Sequence, residues 1–197
     1  MKLSAFSLSS ALVFLPLFSC STFATLYETH FDLALEGMYH DPPGEINAIE
    51  DGVLHLKGFK DGQPAHAGFE ESFGSPSETA FNLKFAGPDD RERHLAMVSF
   101  LWANQDRFVV HFELSTLKFM MILGGEDRTV FEKPFKFEVG RWYSMKAVMA
   151  KGMFTFWIDE EEIGSIEIDP RLPEMGELNF EAHEEFYVDD IVVKIEG

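Results

Sequence analysis

At 197 residues, with 34 acidic against 16 basic side chains and a formal net charge of −18, the chain has the length of one domain plus a leader. A field this negative excludes nucleic acid and anionic membrane surfaces as partners held by general electrostatics. Phenylalanine, at 21 residues against 4 tyrosines and 3 tryptophans, supplies most of the aromatic content and suits a thick apolar core.

Lys2 and the apolar run Ala11-Leu-Val-Phe-Leu-Pro-Leu-Phe18 read as the basic and hydrophobic parts of an export signal. The run is too short to span a bilayer. Two processing sites compete. Thr22-Phe-Ala24 fits small-residue cleavage, giving a signal peptide of residues 1–24 and a single β-sandwich domain of residues 25–197. Leu17-Phe-Ser-Cys20 resembles a bacterial lipobox, giving a lipoprotein signal of residues 1–19 and a lipid anchor at Cys20, the one cysteine of the chain. Both readings export the protein, as a secreted, periplasmic or outer-membrane-anchored species. A lone cysteine forms no intrachain disulfide, and a large core needs none.

Beyond the leader, apolar residues alternate or run in short blocks between Gly, Pro and Asp clusters, and no stretch shows a helical period. Residues 27–35 form the first expected strand, and His40-Asp-Pro-Pro-Gly44 a rigid loop. Ile49-Glu-Asp-Gly-Val-Leu-His-Leu56 is a turn feeding a strand, with Asp51-Gly52 as the turn signal. Residues 65–73 follow, then the Gly74-Ser-Pro-Ser77 loop. Over 79–85, Phe81, Leu83 and Phe85 alternate with Asn82 and Lys84, which marks a strand with one wet face. Gly87-Pro-Asp-Asp-Arg-Glu-Arg93 is a charged hairpin loop. Residues 95–103, 107–114 and 117–123 make a meander, and Gly124-Gly-Glu-Asp127 turns into a strand at 129–131. Residues 141–149 and 153–158 pair around Ala150-Lys-Gly152, Asp159-Glu-Glu-Glu162 is a solvated outer turn, and 163–168 continue the sheet. Gly176-Glu-Leu-Asn-Phe180 and Phe186-Tyr-Val-Asp-Asp-Ile-Val-Val193 close the chain. About a dozen short strands at this spacing predict an all-β, two-sheet antiparallel jelly-roll sandwich.

Four segments together carry a resemblance. They are Ile49 to Leu56, Gly140-Arg-Trp-Tyr143, Phe154-Thr-Phe-Trp-Ile-Asp-Glu160 and Phe186-Tyr-Val-Asp-Asp-Ile191. Across residues 27–195 the pattern resembles the concanavalin A-like, laminin-G-like jelly roll of bacterial extracytoplasmic proteins. In that group the strand similar to 154–160 ends in an Asp-Gly turn, where this chain has acids. Related domains include keto-disaccharide hydrolases, whose Asn-Ser-Gly segment this chain lacks. The resemblance implies the fold and leaves the activity open.

The acid pair Asp189 and Asp190 sits inside an apolar run. Strand alternation sends the two side chains to opposite faces. Similar jelly rolls hold a structural calcium where first and last strands meet. The resemblance therefore makes Asp32, Asp189 and Asp190 candidate ligands for Ca2+. The alternative is that one acid caps a loop through backbone N–H groups and the other is solvated.

Glycan binding needs an aromatic platform beside hydroxyl-bonding groups. Trp102, followed at a hairpin end by Asn104, Gln105 and Asp106, is the first candidate, and Tyr39 the second. The alternative for Trp102 is a plug at the end of the core. Trp142 and Trp157 lie in strongly apolar strands and are expected inside. Glycosidase chemistry needs two carboxylates across a cleft. The nearest spacing, Glu167, Asp169 and Glu174, is broken by Pro170 and Pro173 and reads as a turn. The seven histidines form no metal-binding motif, and no nucleophile elbow is present. The expected role is a non-catalytic carbohydrate-binding or interaction module. The alternatives are a carbohydrate-active hydrolase with an unrecognised site and a structural protein-binding domain.

Overall fold

The computed structural model describes residues 23–29, 38–39, 44–59, 61–87, 94–103 and 105–196. Most of the leader, Asp32 and Asn104 lie outside the described residues. In chain order the strands are β1 (Phe23–Thr29), β2 (Met38–Tyr39), β3 (Ile46–Glu50), β4 (Val53–Lys57), β5 (Ala65–Phe69) and β6 (Phe73–Gly74). Then come β7 (Ser77–Gly87), β8 (His94–Ala103), β9 (Asp106–Glu113), β10 (Thr116–Leu123) and β11 (Glu126–Pro134). The last are β12 (Trp142–Ala150), β13 (Met153–Ile158), β14 (Glu161–Glu167), β15 (Met175–Ala182) and β16 (Glu185–Glu196). No helix occurs among the described residues, and so none there is long and apolar enough to cross a membrane.

Sheet one runs β14-β13-β12-β7-β16-β4-β3, with β1 also on β16. Sheet two runs β11-β10-β9-β8-β15-β5-β2, with β6 also on β15. Every pairing is antiparallel, and the two sheets stack as a jelly-roll sandwich, the fold expected from the sequence. The closing pair is central to both sheets: β15 lies between β8 and β5, and β16 between β7 and β4.

Period-two alternation fills the space between the sheets. From sheet one, Phe81, Leu83 and Phe85 point inward on β7, and Phe154, Phe156 and Ile158 on β13. From sheet two, Phe108, Val110 and Phe112 meet them from β9, with Leu117 and Phe119 from β10. Phe154 packs against Phe108 at 4.3 Å, Phe100 at 5.3 Å and Phe119 at 5.6 Å between ring centroids. Each such side chain contributes about 1.5–3 kcal/mol by leaving water. At one edge the sandwich is closed by a close approach. A Cβ on Gly164 of β14 would lie 2.7 Å from the Phe131 ring of β11, so any larger residue there must displace that ring.

Among the described residues four hairpins turn on two left-handed residues each, one of them at Gly124-Gly125 with φ of 59° and 82°. Asp51-Gly52 and Lys151-Gly152 have φ of 53° and 77°, and 54° and 74°. Asp159-Glu160, at 50° and 69°, does the same without glycine. There the Asp159 carboxylate accepts the Ser144 backbone N–H at 2.9 Å and the Arg141 guanidinium at 2.6 Å, which anchors the turn.

Two expectations are corrected. Asp189 and Asp190 do not point to opposite faces. A β-bulge falls between the Asp189–Asn82 and Val192–Ala80 pairs, and Asp190 takes φ 52°. Phe186 and Val188 point inward before it, Ile191 and Val193 after it, and neither acid enters the core. Trp142 and Trp157 are not core residues either. Tyr143, Met145 and Ala147 are the inward side chains of β12, so Trp142 lies outside at 39% exposure. Phe156 and Ile158 take the inward positions of β13, which turns Trp157 out.

Replacing Phe154 by alanine removes the ring that four other phenylalanines touch. The expected loss is about 3–5 kcal/mol of unfolding free energy, read as a fall in urea midpoint at unchanged m-value.

Candidate functional site

The outward residues of sheet two converge where those of most sandwiches do not: several are polar and buried. Inward Leu178, Phe180 and Ala182 on β15 turn Glu177, Asn179 and Glu181 outward. By the same parity β5 presents His66, β8 Met97 and Ser99, β9 Arg107, Val109 and His111, and β10 Lys118, Met120 and Ile122. Strand register orders them into cross-sheet rows. One row is His66–Glu181–Met97–His111–Lys118. The next is Gly68–Asn179–Ser99–Val109–Met120, in which Gly68, Ser99 and Val109 are short.

Glu181 is the electrostatic centre of this face. His183 Nε2 donates to its Oε1 at 2.8 Å, while His66 Nδ1 and Arg107 Nη2 each stand 3.8 Å from Oε2. Burial by itself would raise the carboxyl pKa. The His183 hydrogen bond and the charges of His66, His183 and Arg107 outweigh it, and the group lies below its ordinary 4.5. Burial holds the His66 imidazole below its ordinary 6.5, against the opposing pull of Glu181 and Asn179. At the row's far end Glu113 accepts from Lys118 at 2.6 Å. Ser99 Oγ is buried with no hydrogen-bond partner among the described residues.

Beside this cluster the sheet opens into a hollow of about 590 Å³. Arg107, His111, His183 and Gln105 give it polar walls, Met97 and Met120 apolar ones, and Asp127 stands among its lining residues. The β8–β9 turn that carries Gln105 is tied to the neighbouring turn, because Asp106 Oδ1 accepts the Gly124 N–H at 2.7 Å. Of the residues expected from sequence, Gln105 lines the hollow and Asp106 braces its end. Trp102 pairs with Glu177 in the ladder, and Tyr39 pairs with Gly68, in the row of Asn179 and Ser99. Asn104 lies outside the described residues. The histidines, scattered in sequence, were not expected to meet. His66 and His183 meet at Glu181 through the β5–β15 register and the turn after β15, and His111 lines the same hollow as His183. The alternation Glu177-Leu-Asn-Phe-Glu181 was the one local signal, three polar groups on one strand face.

The acid pair on sheet one is engaged locally. Asp189 Oδ1 accepts the Asp190 N–H and Asp190 Oδ2 accepts Asn82 Nδ2, each at 2.8 Å. Asp32, its expected partner for calcium, is outside the described residues, and among those no group of three acids, histidines or cysteines is placed to hold a metal. Asp169 is fixed as a turn residue, bonded by the Arg171 side chain and backbone N–H and held at about 2. Glu167 ends β14, and the chain turns between Asp169 and Leu172 before Glu174, as the prolines imply.

No family model matches the chain, and no curated protein matches it. Solved structures do. A protein of unknown function with a galectin-like fold from Bacillus subtilis superposes with TM-score 0.73 at 14% identity, over 89% of this chain and 100% of that one. The carbohydrate binding module CBM66 from Bacillus subtilis gives 0.66 at 12%, over 82% and 98%. The Bacillus licheniformis β-glucanase gives 0.63 at 10%, over 87% and 97%. At these identities the likeness shows the fold, a concanavalin A-like jelly roll.

Acidification should destabilise the protein in two steps. His66, depressed when folded, is bound by fewer protons than in the unfolded chain below pH 6.5, so its contribution is present above 6.5 and lost as pH falls. Glu181, also depressed, contributes above 4.5 and loses that below. Melting temperature measured from pH 8 to 3 should fall across both windows. His66→Gln should remove the upper step and Glu181→Gln the lower.

Proposed function

We propose that the protein is an exported carbohydrate-binding module that holds a glycan in the hollow on the outer face of sheet two. One observation carries the reading: a sheet-face hollow with Arg107, His183 and Gln105 beside Met97 and Met120. Sugar hydroxyls need such fixed donors and acceptors, and sugar C–H faces need such apolar neighbours. Glu181 orients Arg107 and His183 from below. Gln105 lines the hollow from the β8–β9 turn and Asp106 braces that turn, and Trp102, in β8 just before it, is the stacking ring of the proposal. Tyr39 takes the opposite edge. The likeness to a carbohydrate-binding module and to glucanases supports a carbohydrate-related role.

The non-catalytic form is favoured over hydrolysis by the placement of acids. Glu177 and Glu181 are four residues apart on one strand, about 13 Å at ordinary strand rise. Glycosidase carboxyl groups stand about 5–9.5 Å apart. Glu181 is also committed to His183. Of the two processing sites, cleavage before Cys20 keeps β1 whole, whereas cleavage after Ala24 removes the Phe23–Glu196 and Ala24–Ile195 pairs. Lipid anchoring therefore belongs to the proposal.

Titration against neutral polysaccharides should show binding that Arg107→Ala and Trp102→Ala each weaken about tenfold or more, a loss of about 1.4 kcal/mol. Binding untouched by both substitutions removes the site. Release of reducing ends from any bound polysaccharide removes the non-catalytic reading.

A further inference from the structure

We infer that the outer face of sheet one carries a second binding site, for an acidic glycan, built on Lys84, Trp142, Lys146 and Trp157. Register places His55, Tyr187, Lys84 and Trp142 in one row across β4, β16, β7 and β12. His55 stacks on Tyr187 at 4.2 Å, and the Lys84 ammonium lies 4.2 Å from the Tyr187 ring and 4.7 Å from the Trp142 ring. Two rows away Lys146 lies 4.5 Å from the Trp157 ring on β13. Four residues separate Trp142 from Lys146 on β12, so the rows stand about 13 Å apart. Between them runs a lower row, Asn82 and Ser144. The result is a polar-floored groove with an aromatic ring and an ammonium on each side.

Charge identifies the occupant. In a chain with 34 acids, Lys84 and Lys146 have no carboxylate within ion-pair distance among the described residues. Among the described residues Lys57, Lys118, Lys133 and Lys194 do pair, with Glu45, Glu113, Glu161 and Glu78; of the unpaired lysines, Lys84 and Lys146 are those held against aromatic rings. The acids around the groove are already engaged. Glu185 bonds His55 and Tyr187, Asp190 bonds Asn82, and Asp159 bonds Arg141. Asp189, next to Asn82 in the middle row, accepts the Asp190 N–H, and Glu162, opposite Trp157 at the sheet's edge, is exposed. Two ammonium groups held beside rings, without anionic partners, match sugar rings that carry carboxylates or sulfates. The ring C–H faces pack on tryptophan while the anions meet lysine. Exposed charges beyond about 8 Å are largely screened at physiological salt, so the local cations outweigh the net charge of −18.

The test is titration of the whole chain with a polyuronate, a sulfated polysaccharide and a neutral polysaccharide, in low and high salt. Binding of either anionic polymer is expected, and which one binds names the anion. Trp142→Ala and Lys84→Gln should each weaken it about tenfold. Rising salt should weaken it too, because exposed ammonium–anion attraction is screened. Arg107→Ala, on the opposite face, should leave it unchanged, which separates this site from the hollow on sheet two. Melting temperature and circular dichroism of both variants check that the fold survives. Failure to bind either anionic polymer overturns the inference. So does a Trp142→Ala or Lys84→Gln loss that is equal for the neutral polymer, indifference of anionic binding to both substitutions, or anionic binding that strengthens with salt.

Discussion

Phe154 reaches from sheet one to Phe100, Phe108 and Phe119 of sheet two, and this contact sets the terms for the rest of the molecule. Sheets held about 10 Å apart by interdigitated rings leave no freedom in which residues face inward. Strand period then dictates the composition of both outer surfaces. The same constraint explains the bulge in β16. That strand must keep Phe186 and Val188 inward beside β7 and β4, and Ile191 and Val193 inward beside β7 and β1. The two apolar pairs are out of phase by one residue. Doubling the outward position at Asp189 and Asp190 restores the phase, and Asp190 pays with a left-handed backbone.

The two outer faces use this freedom differently. On sheet two, the central row carries short residues, Gly68, Ser99 and Val109, while Glu181 draws His183, Arg107 and His66 around one buried carboxylate. A buried charge of this kind costs several kcal/mol unless donors surround it. Its donors are therefore fixed in place, and a fixed arginine and histidine beside a hollow are what ligand recognition requires. On sheet one the outward positions form cross-strand ladders instead. Thr155 bonds Ser165, Lys194 bonds Glu78, and Lys84 sits between Tyr187 and Trp142. These side chains stand above the sheet and none is buried under its neighbours.

Architecture was legible in the sequence because it rests on local signals. The alternation of β7, the Asp51-Gly52 and Lys151-Gly152 turns and the β8–β9–β10 meander each lie within a few consecutive residues. The sites were not legible, because they depend on register between distant strands. His66 and Glu181 face one another through the β5–β15 pairing, and nothing in either segment announces the other. The tryptophans misled for a different reason. Residue size argued for burial, but parity argued against it. Ser144 and Lys146 share the face of Trp142, whereas Tyr143, Met145 and Ala147 take the inside. On a half-buried strand parity overrides the apolar preference of a single side chain. The acid pair failed similarly: alternation was assumed continuous, although apolar residues at 186 and 188, then 191 and 193, already recorded the slip.

The closing strands connect these threads. β15 sends Glu177, Asn179 and Glu181 to the face of sheet two, and after His183 the chain crosses to sheet one. Glu184, buried at the crossing, donates its N–H to the Leu95 carbonyl of β8, which fixes where the crossing occurs. β16 then sends Glu185, Tyr187 and the acid pair to the opposite face. His183 bonds Glu181 on one side, and two residues later Glu185 bonds His55 on the other. Both outer faces are thus keyed to one short segment whose inward residues are locked into the core. Any shift in its register would exchange inward and outward side chains on both strands. Core packing and surface chemistry are for that reason inseparable in this chain. The phenylalanines that stabilise the sandwich are also what hold Glu181 and Tyr187 on opposite faces.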